Sequence, residues 1–169
     1  MYQDSQGPER QRCDVLVIGG GPAGSTVSPF LTRLGHRVVL LEKAHHPRFH
    51  IGESLLPANL PLLERLGVAD AVRAIGQYKP GAEFVSPNHT HTQTFEFADA
   101  WDKSMPYAYQ VKRAEFDEIL IRNAERKGVD VHEGCKARSV EFLPDRSVRV
   151  HAEHDDGRAT VWDAKFLVD

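Results

Sequence analysis

Cysteine is scarce in this chain: Cys13 and Cys135 are the only two among 169 residues. They lie far apart and lack the paired spacing of metal ligands. That argues against a disulfide scaffold or a zinc knuckle and reads as two reduced structural thiols in a reducing compartment. Long apolar runs are missing as well. No stretch approaches the roughly eighteen apolar residues of a membrane span, and the polar residues 1–12 have no apolar signal-peptide core, so the expectation is a soluble cytoplasmic protein. Nor does charge of one sign dominate. With 21 Lys and Arg against 24 Asp and Glu, the net charge of −3 gives no footprint for nucleic acid. His45, His46 and His50 fall on a stretch without regular pattern and lack an acidic or thiolate companion at ligand spacing, so no metal site is assigned. The 41% hydrophobic content suffices for one domain with a sizeable core.

The N-terminal third is rich in pattern. The apolar run Val15-Leu16-Val17-Ile18 leads straight into Gly19-Gly20-Gly21-Pro22-Ala23-Gly24, a helical stretch follows to about Leu34, and Val38-Val39-Leu40-Leu41 ends on Glu42. Strand, glycine turn, helix, strand and terminal acid are the parts of a dinucleotide site. Gly19 permits the sharp turn, Gly21 lets backbone approach a diphosphate, and Gly24 lets the helix pack tightly on the strand. Free N–H groups of the first helical turn and the positive end of its dipole would hold the phosphates. Pro22 is compatible with that turn because the N–H it lacks has no helical partner anyway. Glu42 is placed to accept hydrogen bonds from adenosine ribose hydroxyls and would repel a 2′-phosphate, which favours FAD or NAD over NADP. Pro29 is discordant, since inside a helix it removes a hydrogen bond and is expected to kink the axis.

Downstream, Pro47, Gly52 and the His and Arg residues mark residues 43–54 as a loop. Helices are expected over 57–66 and 69–75, then antiparallel strands over 81–86, 92–97 and 107–111. An amphipathic helix over 113–127 carries Phe116, Ile119, Leu120 and Ala124 on one face. Strands follow over 129–133, 137–143, 148–154 and 159–163, with a last apolar strand over 166–169. The fold class is therefore α/β, a Rossmann-like FAD-binding fold of the glutathione-reductase type. Its expected organisation is a polar tail over 1–12 and a cofactor domain over 13–169, with an antiparallel sheet inserted at about 79–111. The uncovered apolar strand at the chain end reads as an incomplete domain.

Residues 48–57, Arg-Phe-His-Ile-Gly-Glu-Ser-Leu-Leu-Pro, resemble the FAD-binding region of flavin-dependent halogenases, in the tryptophan-halogenase-like branch that acts on phenols and pyrroles. The likeness takes in the glycine turn, Glu42-Lys43, Lys79-x-Gly81-Ala82 and the run from Val111 to Asp117, and it extends over residues 14–169. It implies a reaction in which reduced FAD and oxygen convert chloride or bromide to hypohalous acid. A lysine then presents the electrophilic halogen to an electron-rich aromatic ring, either a small molecule or a group tethered to a carrier protein. A separate flavin reductase would supply the reduced FAD. By position Lys79 resembles that lysine; its other reading is a solvated residue in a Lys-Pro-Gly turn. Gly52, Glu53 and Ser54 resemble the segment lining the flavin, although Ser54 also suits a helix cap. Arg113 resembles an arginine that touches FAD, and a cation at a positive helix end hints at an anionic partner. Ala137 resembles a position whose backbone meets the adenine. Lys43 and Arg48 are within reach of phosphate or ribose, or are solvated charges. Two rivals stand beside this reading: an FAD-dependent aromatic monooxygenase, and a truncated remnant without catalytic activity.

Overall fold

The computed structural model describes residues 9–169. Its elements run β1 (Glu9–Ile18), α1 (Pro22–Arg33), β2 (Val38–Leu41), α2 (Leu60–Leu66), α3 (Ala69–Ile75), β3 (Gln77–Lys79), β4 (Gly81–Val85), β5 (Thr92–Glu96), β6 (Ala108–Gln110), α4 (Arg113–Arg126), β7 (Asp130–His132), β8 (Cys135–Phe142), β9 (Val148–His154) and β10 (Ala159–Val168). The described residues divide into two compact units, one of 9–48 with Leu120–Asp169 and one of Phe49–Ile119.

The first unit is built on a six-stranded sheet in the order β7-β2-β1-β10-β9-β8. The strands β7, β2, β1 and β10 run parallel, while β9 and β8 continue the sheet antiparallel. Valine and leucine at successive positions of β1 and β2 are buried on both faces, which is why these strands read as continuous apolar runs and not as alternating ones. Leu16, Val39, Cys135, Val150 and Trp162 form one core cluster, and Val17, Val38, Leu40, Ile121 and Ala124 form a second. Burial of each such aliphatic side chain contributes about 1.5–3 kcal/mol. Both thiols are free and buried, and burial pushes the Cys13 thiol up to about 12.

Three expectations about this unit change. The strand β1 begins at Glu9, because the backbone of residues 9–12 pairs with β10 from Thr160 to Asp163. Of the expected polar tail, residues 1–8 lie outside the described residues. Main-chain pairing supplies the strand's hydrogen bonds whatever the side chains, so a polar sequence can be strand once a distant partner exists. The expected separate strands at 159–163 and 166–169 are one, since Ala164 and Phe166 stay in register with Cys13 and Val15. The helix α1 is continuous across Pro29, which is buried. Around it the hydroxyls of Ser28 and Thr32 donate to carbonyls four residues back, Gly24 at 2.7 Å and Ser28 at 3.1 Å.

In the second unit the single inserted sheet proves to be two separate two-stranded ones, β3 with β6 and β4 with β5. The short strand β3 was not expected. It makes Lys79 the last residue of a strand and not part of an open turn. On the other edge of β6 the Gly-Glu-Ser-Leu segment adds main-chain bonds. The Val111 N–H donates to the Glu53 carbonyl and the Leu55 N–H to that of Tyr109, both at 2.9 Å, with Ser54 bridged to Gln110. Among the described residues no helix is long and apolar enough to cross a membrane.

Candidate functional site

The glycine turn sits where β1 ends and α1 starts. Gly19 turns the chain at φ +101°, a conformation that L side chains rarely adopt. A Cβ on Gly24 would lie 2.0 Å from the Gly19 carbonyl oxygen, so only glycine allows the first helical turn to approach the strand end. At Gly21 a Cβ would meet only an Arg48 Nη2 at 3.8 Å, which leaves this side of the backbone open. Pro22 is the first residue of α1, Ala23 is exposed, and the helix has neither a side-chain cap nor an acidic residue in its first turn. Its leading N–H groups are thus left for an anion.

Glu42 is buried and faces this turn. One carboxylate oxygen accepts the Gly20 N–H at 2.7 Å and the other accepts the Ala44 N–H at 2.8 Å. A Cβ on Gly20 would lie 2.8 Å from Ile121 Cδ1 and 2.9 Å from Glu42 Cβ, so the middle glycine, unlike Gly21, has no room for a side chain. Pattern reasoning passed over Gly20, because it occupies a free position of the fingerprint. Arg48 Nη2 lies 3.7 Å from the Glu42 carboxylate, while Arg48 Nε is buried and has no partner among the described residues. A free buried donor beside an uncapped helix start fits a diphosphate.

The loop carrying Arg48 is pinned by a partly buried network that the sequence did not announce. Glu133 accepts the His46 N–H at 2.7 Å, pairs with His46 Nδ1 at 2.8 Å, and accepts from Arg122 Nη2 at 2.6 Å. Burial alone would raise the Glu133 carboxyl, but the donors from Arg122 and His46 outweigh it and hold the group below its ordinary value. This contribution to stability is therefore complete above the ordinary glutamate range and is lost as pH falls through the lowered folded value. Glu133→Gln is expected to flatten the acid limb of a melting-temperature profile taken from about pH 7 to about pH 3. An acid limb identical to that of the parent chain would show that the network does not govern it. Lys43 is exposed and makes no ion pair among the described residues, and Ala137 is half-buried on β8, packed against the Trp162 cluster.

In the second unit, Gly52 takes φ +101° and its Cβ would lie 3.1 Å from Arg113 Nη1. The Arg113 guanidinium donates to the Ile51 carbonyl at 2.8 Å and grips Asp117 through Nε at 2.8 Å and Nη2 at 3.0 Å. The helix's own buried Asp117 is therefore an anion that accounts for a cation at the start of α4. The spacing of four residues between Arg113 and Asp117 was the available signal. The Glu53 side chain is exposed. Lys79 is half-buried, and its Nζ donates to Ser54 Oγ at 2.5 Å. Ser54 precedes the 3-10 turn Pro57–Asn59, whose cap position is Leu56, so it does not cap that turn.

Residues 12–169 match the FAD binding domain family. The chain belongs to that family. FAD is accordingly the dinucleotide for which this turn is shaped. The relatives narrow the reading. Over 158 residues the chain is 41% identical to a tryptophan 2-halogenase of Chondromyces crocatus, covering 92% of this chain and 29% of that protein. It is 41% identical to a flavin-dependent halogenase of Armillaria mellea, covering 92% and 31%. The structure of the myxobacterial chondrochloren halogenase, an FAD-dependent halogenase, superposes with a TM-score of 0.85 at 43% identity, covering 96% of this chain and 37% of that one. The FAD-binding chain therefore spans about a third of the length of these halogenases.

Proposed function

We propose that this chain is the FAD-binding part of a halogenase that uses reduced FAD and oxygen to chlorinate or brominate an electron-rich aromatic substrate. The substrate would be free or tethered to a carrier protein, and a separate flavin reductase in the cytoplasm would supply the reduced cofactor. The observation that carries the reading is the ammonium of Lys79, half-buried and held by the serine of the Gly-Glu-Ser segment, in a chain about 40% identical to halogenases.

Reduced FAD, when bound, would give two of the four electrons that oxygen takes, the halide giving the other two as it becomes hypohalous acid. The chain's own residues bind and orient. The N–H groups of Gly21, Ala23 and Gly24 and the Arg48 guanidinium hold the diphosphate, with Gly19 setting the turn and Pro22 fixing the start of the helix. Each Glu42 oxygen keeps a lone-pair site beyond its amide bond, and these accept the ribose hydroxyls. Lys43 and the backbone of Ala137 attend the adenosine. Gly52 and Glu53 line the flavin, and Arg113 holds the Gly52 backbone for that contact. Lys79 donates an N–H to hypohalous acid and polarises its oxygen–halogen bond toward the aromatic ring.

In a polypeptide of the relatives' full length carrying this sequence, Lys79→Ala is expected to abolish halogenation, by about a thousandfold or more, while FAD still binds. Product yield is read by mass spectrometry and FAD affinity by flavin fluorescence. Undiminished product yield would remove Lys79 from the mechanism. An oxygenated product whose yield ignores halide would assign the chain to a monooxygenase.

A further inference from the structure

Three groups meet at the Lys79 ammonium, and each is fixed by backbone pairing. Ser54 Oγ accepts from Nζ at 2.5 Å, the Leu55 carbonyl oxygen is 3.5 Å away, and Nζ lies 5.2 Å from the centroid of the Phe97 ring. The strand β6 holds the lysine and the serine in register. Lys79 pairs with Ala108 on one edge of β6, and Ser54 is bridged to Gln110 on the other. Phe97 is tied to the same corner, since its N–H donates to the Pro80 carbonyl at 2.8 Å. A free lysine side chain samples many rotamers, and an ammonium carries three donors that water would otherwise satisfy. Here a hydroxyl, a more distant carbonyl and an aromatic face take the place of water on three sides, which gives the ammonium a defined position.

We infer that Ser54 is a positioning residue for Lys79, with the Phe97 ring as the second wall, so that the serine acts through the ammonium and not by holding the flavin. The inference rests on the proposed role of Lys79, but it can be tested without halogenation. On the 169-residue chain, acetylation of Lys79 by acetic anhydride at fixed pH is followed by peptide mass spectrometry, with circular dichroism confirming the fold of each variant. Ser54→Ala removes the hydroxyl that holds Nζ in place, so the side chain moves out toward the reagent, and the Lys79 acetylation rate is expected to rise about tenfold. Ser54→Thr keeps the hydroxyl and is expected to hold the rate within about twofold of the parent chain. Phe97→Leu is expected to raise it about threefold, and it carries the test if Ser54→Ala does not fold. In the full-length polypeptide, Ser54→Ala is expected to lower kcat for halogenation about tenfold with KM and FAD affinity unchanged. A Lys79 acetylation rate unmoved by both Ser54→Ala and Phe97→Leu overturns the inference, whatever Lys79→Ala does to halogenation. So does a loss of kcat that merely follows a loss of FAD affinity, which would place Ser54 on the flavin.

Discussion

Replacing Gly24 by alanine is expected to abolish FAD binding, raising the dissociation constant at least about a hundredfold, and to lower the melting temperature at the same time. The added carbon would lie 2.0 Å from the Gly19 carbonyl oxygen and 3.1 Å from Val17 Cγ1. The obstacle is main chain and cannot rotate away. Nor can the turn yield, since the Gly19 N–H donates to the Leu41 carbonyl at 2.8 Å and the Gly20 N–H to Glu42 at 2.7 Å. Relief requires shifting α1 off the strand, which moves the N–H groups that face the phosphates. The companion variant Gly21→Ala separates the two effects, because its Cβ meets only the end of the Arg48 side chain. It is expected to weaken FAD binding while leaving the melting temperature within a few degrees of the parent. Flavin titration and a thermal melt of both variants decide the matter, and a Gly24→Ala chain that binds FAD normally would refute the close approach of helix and strand.

The second large effect is expected at Asp117. Its side chain is fully buried against an Arg113 that is 12% exposed, and the pair is bidentate. Asp117→Ala leaves a guanidinium in a site from which water is largely excluded, at a cost of about 3–5 kcal/mol. That is a large part of the stability of a typical domain. Replacing both partners, Arg113→Met with Asp117→Leu, is expected to recover most of the loss, because no charge is then stranded. Urea unfolding measures both. A single-variant loss below about 1 kcal/mol would mean that the pair behaves as an exposed one. The double variant also removes the donor to the Ile51 carbonyl, so restored stability with an unrestored Gly52 loop would display the two duties of Arg113 separately.

Much of the cofactor turn was legible in the sequence, and the reason is local. Gly19, Gly21, Pro22 and Gly24 act within a few residues of one another, between a strand and a helix whose periodicities are strong, so spacing alone carries the geometry. Glu42 was legible in position but not in its partners, since the amides of Gly20 and Ala44 engage it only once β1 and β2 lie side by side. Lys79 was legible by resemblance alone. A lysine before Pro-Gly has the local pattern of a solvated turn, and nothing in its neighbourhood foretells Ser54, twenty-five residues upstream, or the ring of Phe97.

By itself the sequence determined an α/β dinucleotide fold, the place of the diphosphate turn and a likeness to halogenases, because these depend on short-range backbone geometry and on a motif. The tertiary structure decided what each charged side chain faces. It drew Glu9 and the residues after it into a strand against β10, turned Arg113 inward to Asp117, bound the His46 loop to Glu133 and Arg122, and set Ser54 against Lys79. Each of these pairings depends on main-chain or side-chain groups that folding brings together, and hydrogen bonds and charges act over a few ångströms in space without regard to distance along the chain.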